Sequence, residues 1–213
     1  VVERGRVTYL DEVVELSGRV EGLQLGGVAS GGGSEGYVTS GALSVVIEGF
    51  PPLEAESVRA RWSWQQGRVE VWGLSFEGPH FSGEGRATLA LLRQSIRIGA
   101  EAWGSASLEW VSEEWELPPM RGRAGFEAVF EMRSAGRWDL RARLEERGVL
   151  SVAGVELERA RAQVRVTPEG LFVSRGELES AGGSRLDEIE LGWRSGNFSA
   201  AARGEALVEE LIA

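Results

Sequence analysis

Apolar and polar residues alternate along most of this chain with a period of two. Val58, Ala60, Trp62 and Trp64 alternate with Arg59, Arg61 and Ser63. Ala124, Phe126, Ala128, Phe130 and Met132 alternate with Gly125, Glu127, Val129 and Glu131. The same rhythm sets Trp138, Leu140, Ala142 and Leu144 against Asp139, Arg141 and Arg143, and Ala160, Ala162, Val164 and Val166 against Arg159, Arg161, Gln163 and Arg165. It returns in Ile189, Leu191 and Trp193, separated by Glu190 and Gly192. Successive side chains of a strand point to opposite faces, so each run predicts a strand with one apolar and one wet face. One-sided burial is the mark of antiparallel sheet, since buried parallel strands read as continuous apolar runs. Arg and Glu on the wet face are then placed to pair across strands, worth roughly 0.2–1 kcal/mol for a good pair.

The connections are short. Gln65-Gln66-Gly67, Ser134-Ala135-Gly136, Pro168-Glu169-Gly170 and Ser195-Gly196-Asn197 each divide two alternating runs and predict hairpin turns, with Gly or Asn supplying positive φ. The pattern predicts an all-β antiparallel meander of roughly a dozen or more short strands. A β-sandwich is the alternative, because alternation is the same in both. The triple-glycine stretch Val28–Gly36 predicts a flexible loop, and the tail from Glu205 to Ala213 a short terminal helix. Residues 112–121, with Glu113, Glu114, Pro118 and Pro119, predict the main interior break. That divides the chain into a β unit over 1–111, a loop over 112–121 and a β unit over 122–213, continuous with the first.

The two halves echo each other. Leu53 to Trp64 aligns without a gap on Val155 to Val166; Val69 and Val71 then fall on Leu171 and Val173, and Phe76-Glu77 on Leu178-Glu179. One supersecondary unit used twice accounts for this match.

Composition narrows the functional classes. The chain has 213 residues, 42% of them hydrophobic, enough to bury a core and too apolar for disorder. Thirty glycines against six prolines suit many tight turns. The net charge is −10; all cationic charge is arginine and nearly all anionic charge glutamate. An acidic chain with dispersed arginines argues against nucleic acid and against docking on anionic headgroups. There is no cysteine, hence no disulfide or thiolate metal site. Two Met, one Asn and no Cys leave few thermolabile residues and suggest a thermophilic source, whereas arginine in place of lysine is accounted for by a GC-rich genome. No run approaches the roughly 18 apolar residues of a membrane span. The chain opens on Val-Val-Glu-Arg without a signal-peptide pattern, so it reads as a piece of a longer protein.

Candidate chemistry is sparse. His80, the only histidine, lies in Gly78-Pro-His-Phe-Ser-Gly83 and reads as a turn residue; a catalytic reading would need a nucleophile or carboxylate held nearby. Glu113 and Glu114 beside Trp110 and Trp115 have the composition of a glycosidase site or a sugar-binding face. Sequence neighbours on a strand point apart, however, and a solvated loop accounts for them. Gly31-Gly32-Gly33 lacks the Lys-Ser/Thr of a phosphate loop. Trp62 and Trp64 share the apolar side of their run and read as core or groove lining. No enzyme, cofactor or metal site is indicated.

The stretch from Leu157 to Gly183 runs as an alternating strand, a Gly turn, two short strands and Gly-Gly. This resembles the repeats of the AsmA-like/TamB family. Residues 53–92, ending in Gly83-Glu-Gly-Arg-Ala-Thr-Leu-Ala-Leu-Leu92, are similar, and together the two stretches cover somewhat under half the chain. The motif is alternation plus glycine, without a signature residue. The resemblance implies a long curved, trough-like (β-taco) sheet with an apolar inner and a charged outer face. It implies a segment of an inner-membrane-anchored protein spanning the bacterial periplasm within the cell envelope. The family's roles, lipid transport between membranes and outer-membrane assembly, imply lipid acyl chains and outer-membrane assembly proteins as partners. Alternation then supplies the expected groove lining: Trp62, Trp64, Phe126, Phe130, Leu140, Val164, Val166, Leu191 and Trp193. Eight tryptophans are many for a lipid track, and 213 residues cannot span an envelope. The rival expectations are a β-sandwich module binding carbohydrate or protein, and a purely structural envelope segment.

Overall fold

A computed structural model describes residues 2–11, 16–47, 52–92, 95–114, 117–134, 137–146, 148–194 and 197–205. Seventeen strands and one short helix account for nearly all of them, so the fold is the all-β antiparallel meander that alternation predicts. The chain forms two compact units, one of residues up to Gly104 with Val129–Asp139, the other of Ser105–Ala128 with the residues from Leu140 onward.

Unit 1 contains β1 (Val2–Asp11), β2 (Leu16–Ser30), β3 (Gly33–Ser40), β4 (Ala42–Ile47), β5 (Leu53–Ala55), β6 (Ser57–Gln65), β7 (Arg68–Glu77), β8 (Phe81–Leu92) and β9 (Ser95–Ser107) to Gly104. Here β1 pairs with β2, and β2 pairs along its other edge with β3 and β4 in turn. β3 and β4 act as one long strand interrupted at Gly41, and β5 and β6 as another interrupted at Glu56. β7 and β8 continue the ladder by hairpins. β1 pairs with β2 in an antiparallel register from Val2–Leu25 to Asp11–Leu16. The expected loop over Val28–Gly36 is instead the tip of the β2–β3 hairpin. Ser30 pairs with Gly33, and only Gly31 and Gly32 lie outside the ladder. Glycines at the tip supply the positive φ a two-residue turn demands, and this fixed the loop as a turn.

Unit 2 contains α1 (Leu108–Glu114), β10 (Met120–Arg121), β11 (Arg123–Ser134), β12 (Arg137–Glu146), β13 (Leu150–Val152), β14 (Val155–Thr167), β15 (Gly170–Ser180), β16 (Arg185–Arg194) and β17 (Asn197–Glu205); part of β11 and the start of β12 belong to unit 1. β14 pairs with β12 and β13 on one edge and β15 on the other, and β15, β16 and β17 follow as hairpins.

The echo in the sequence is an echo in the backbone. The β6–β7 ladder shifts register between Arg59 and Arg61, and the β14–β15 ladder between Arg161 and Gln163. The β7–β8 ladder shifts between Val71 and Leu74, and the β15–β16 ladder between Val173 and Gly176. Both pairs of irregularities stand in the alignment that sets Leu53 on Val155. Each harbours a residue in the left-handed region within its strand, Gly73 at φ +56° and Arg175 at +51°. An extra residue in one strand of an antiparallel pair bends that strand and sharpens its twist. Glycine takes this conformation freely; arginine does so at a cost of roughly 1–2 kcal/mol.

The units differ in their cores. In unit 1 the described apolar side chains that are buried are Ala55, Ala60, Met132 and Trp138. Val38, Val58, Val69, Val71, Leu74 and Leu89 of the apolar face are half-buried, and Trp64 is exposed. Unit 2 has a closed cluster of Leu108, Ala124, Leu150 and Leu157, with Met120, Val152, Val155, Ala160 and Leu178 packed against it. α1 supplies Leu108. Ser107 caps its start by accepting from the Trp110 amide at 3.4 Å. Ser107 Oγ also donates to Glu109 at 2.7 Å, and Glu109 accepts the Gly122 amide at 3.0 Å. The Leu108 amide donates to the Gly122 carbonyl at 3.0 Å. Gly122 has φ +108°, and a Cβ there would lie 2.6 Å from both Leu150 Cδ2 and the Val149 carbonyl oxygen. The kink that receives α1 therefore requires glycine.

Candidate functional site

The strand register shows which of the expected residues stand side by side. In unit 2, Leu140 pairs with Val166, Val166 with Leu171, Leu171 with Trp193 and Trp193 with Phe198. One step along the strands, Ala142, Val164, Val173, Leu191 and Ala200 form the parallel row. Five of the nine expected residues thus stand in two adjacent cross-strand rows on one sheet face. Val166 is buried, at 4% exposure, whereas Leu140, Val164 and Leu191 are half-buried. Trp193 is placed by its backbone pairing, and its side chain lies outside the described residues. Phe126, on β11, is half-buried.

Unit 1 has the corresponding rows. Gly27, Gly36, Trp62, Val71 and Ala87 form one; Ser34, Trp64, Val69 and Leu89 form the next. Trp62 takes the echoed place of Val164, and Trp64 that of Val166. The Trp62 indole lies back across β3. Its Nε1 donates to the Tyr37 carbonyl at 3.3 Å, and a Cβ on Gly27 would stand 3.1 Å from its Cζ2. The two facing glycines leave a trench that the ring occupies, with its one polar atom satisfied. Trp64 is 46% exposed. Phe130 packs on Trp138 with centroids 6.3 Å apart.

The opposite face carries the charge. Arg86 bonds Glu101 through two nitrogens at 3.0 and 2.5 Å, and Arg159 meets Glu179 across β14 and β15 at 3.2 Å. Other pairs run along one strand two residues apart, as in Arg68–Glu70, Arg143–Glu145 and Arg185–Asp187. Such exposed pairs contribute about 0–1 kcal/mol each.

Aromatic residues occupy this wet face too, which sequence reasoning did not assign. Tyr37 pairs with Arg61 and Arg61 with Trp72, so both rings share the face of the arginine. Tyr37 is 50% and Trp72 39% exposed, and Trp103, two residues from Glu101, is also exposed. A shallow cavity of about 560 Å³ opens on unit 1, lined by Trp72, Arg86, Thr88, Glu101, Val129 and Glu131 among others. The signal was present at the bulge: Val69 and Val71 are odd-numbered, Leu74 and Phe76 even, so the phase slips at Trp72-Gly73.

His80 is exposed in the turn between β7 and β8. Glu113 and Glu114 are exposed at the end of α1 rather than in the loop expected there; the loop reading failed because α1 runs on through Glu114. No group of three His, Asp or Glu placed to hold a metal occurs among the described residues. Glu109 is held below the usual glutamate range, first by the Gly122 amide and then by the Ser107 hydroxyl. No described helix is long and apolar enough to cross a membrane. No family model, curated protein or solved structure matches the chain.

Proposed function

We propose that the chain is a non-enzymatic segment of a cell-envelope protein whose apolar sheet faces shield lipid acyl chains. The observation that supports this reading is the incomplete burial of those faces. In unit 1, Trp62, Val69, Val71 and Leu89 stand in adjacent cross-strand rows and are half-buried, and Trp64 among them is exposed. An acyl chain along such a row gains roughly 0.8 kcal/mol for each methylene removed from water. The function then resides in a track of apolar surface and in no single residue. On this reading the setting is the periplasm, and outer-membrane assembly proteins are natural neighbours.

Lipid extraction and native mass spectrometry of the purified chain test the reading, with co-purified acyl lipid as the expected result. Trp64→Glu, at a half-exposed position, should fold and lose the lipid. Val164→Glu should do the same or unfold, and Arg165→Glu, on the opposite face, should melt normally and keep lipid. If Trp64→Glu and Val164→Glu both melt normally and both retain lipid, the reading is wrong. A second reading, a carbohydrate- or protein-binding module, draws on Tyr37, Trp72 and Trp103 exposed on the charged face. Loss of ligand on Trp72→Ala, with lipid content unchanged, would favour it.

A further inference from the structure

We propose that the cavity beside Trp72 is a binding trench for a neutral oligosaccharide, running across the strands on the charged face of unit 1. The inference rests on the second reading above and narrows it from three exposed aromatics to one site. It is independent of the lipid-shielding reading, which concerns the opposite face. The lining carries it. The lining residues come as triplets, 70–72, 86–88, 99–101 and 129–131, one each from β7, β8, β9 and β11. Val71 and Ala87, the middle members of two triplets, pair in the apolar row that runs through Trp62. Successive side chains of a strand point to opposite faces, so the outer members stand on the wet face and the main chain between them forms the floor. Trp72, Arg86 and Glu101 make one wall; Glu70, Thr88 and Gly99 make the other; Val129 and Glu131 close the far end. Strands spaced roughly 4.8 Å apart make a trench across four of them about 14 Å long. Gly99 leaves a gap in its wall, since a Cβ there would meet nothing within 4 Å among the described residues.

Charge decides the class of guest. Glu70 is held by Arg68 at 3.0 Å, Glu101 by Arg86 at 3.0 and 2.5 Å, and Glu131 by Arg133 at 3.1 Å. Each carboxylate has its own cation, so an ionic guest would have to break a pair to gain one. What the trench does offer is apolar surface, exposed on Trp72 and Val129, next to guanidinium donors, carboxylate acceptors and the Thr88 hydroxyl. A pyranose matches both: its C–H face lies on an indole, and its hydroxyls donate and accept around the edge. Side chains already held in ion pairs lose less freedom when a hydroxyl bonds them. The volume, about 560 Å³, falls in the range of roughly 300–1,000 Å³ usual for small-ligand sites. A trench that crosses four strands suits a short straight chain of sugars better than a single ring.

The test is calorimetric titration of the whole chain with cellotriose, chitotriose and mannotriose, which are straight and neutral, and with trigalacturonate, which is charged. At least one neutral trisaccharide should bind, and trigalacturonate roughly tenfold more weakly. Trp72→Ala should weaken the neutral sugar roughly three- to tenfold through the lost aromatic contact. Gly99→Leu fills the gap in the wall and should abolish binding while melting as the wild type does. Should Gly99→Leu fail to fold, Trp72→Ala, at an exposed ring, still decides the matter. Tyr37→Ala should bind as the wild type, because the Tyr37 ring lies over Gly26 of β2, outside the trench. The proposal falls if no neutral trisaccharide binds, which leaves the second reading a protein ligand alone. It falls equally if one binds and the Trp72 and Gly99 variants, both folded, bind it unchanged; a carbohydrate site would then stand elsewhere on the chain. Tighter binding of trigalacturonate would overturn it in favour of an anionic guest.

Discussion

The two units share strands, hairpins and bulges, yet one is sealed where the other is open. At the echoed positions Ala55 and Leu157, both side chains are buried, at 6% and 8% exposure. Leu157 joins a cluster with Leu108 of α1 and Leu150, whereas Ala55 has no such cluster around it among the described residues. At the next echoed pair, Val166 is 4% exposed and Trp64 46%. A backbone that repeats does not oblige its cavities to repeat. What is packed against the apolar face decides whether it becomes a core or stays a surface, and at Leu157 it is α1 that supplies Leu108 to the cluster.

Removing the seal should have the largest effect. Leu150 is 2% exposed, so Leu150→Ala should cost about 2–5 kcal/mol in denaturant unfolding. A loss under 1 kcal/mol would mean that the cluster is not packed as described. Val166→Ala should cost about 1–3 kcal/mol and Trp64→Ala clearly less, because half of the indole is already in water. Equal losses would erase the distinction between sealed and open rows.

Glu109 gives the comparison a pH dependence. Its folded value is depressed by the Gly122 amide and the Ser107 hydroxyl. Its contribution is therefore fully present above the ordinary glutamate value, about 4.3, and is lost as pH falls through the depressed folded value. Glu109→Gln should lower the melting temperature at pH 7 and make little difference well below pH 4. A gap between wild type and variant that widens in acid would refute the assignment. The smallest effects belong to the matched bulge residues. Gly73→Ala should lose about 1 kcal/mol and Arg175→Gly gain about 0.5 kcal/mol, since both positions demand positive φ. Equal and opposite signs to these would show that the bulges are not equivalent.

Most of the strands were legible because burial on one side writes a period of two into the sequence. The places where reading failed are those where the period is interrupted. α1 was missed although Ser107 is a good cap and Glu109 sits in its first turn, because seven residues give too few turns for a helical period to show. Alternation from Val69 and Val71 sets Trp72 beside Arg61 on the wet face, but the bulge at Gly73 returns Leu74 and Phe76 to the apolar face one residue out of phase and hides this in the sequence. The apolar residues were legible one by one but not as cross-strand rows. Which valine faces which leucine depends on register, and register is set by turns and bulges rather than by alternation.

That dependence has a consequence for how the chain finds its structure. In a meander of alternating strands, sliding one strand by two residues keeps every apolar side chain on the apolar face. Hydrophobic burial alone therefore barely separates the correct pairing from its nearest mistakes. A left-handed residue fixed at Gly73, and again at Arg175, removes that degeneracy. A partner strand slipped by two would have to cross the bulge where its own backbone has no matching irregularity, and would forfeit ladder hydrogen bonds on both sides. The bulges thus work as vernier marks, giving a nearly periodic polymer a unique alignment and discouraging the off-register sheets from which aggregation starts.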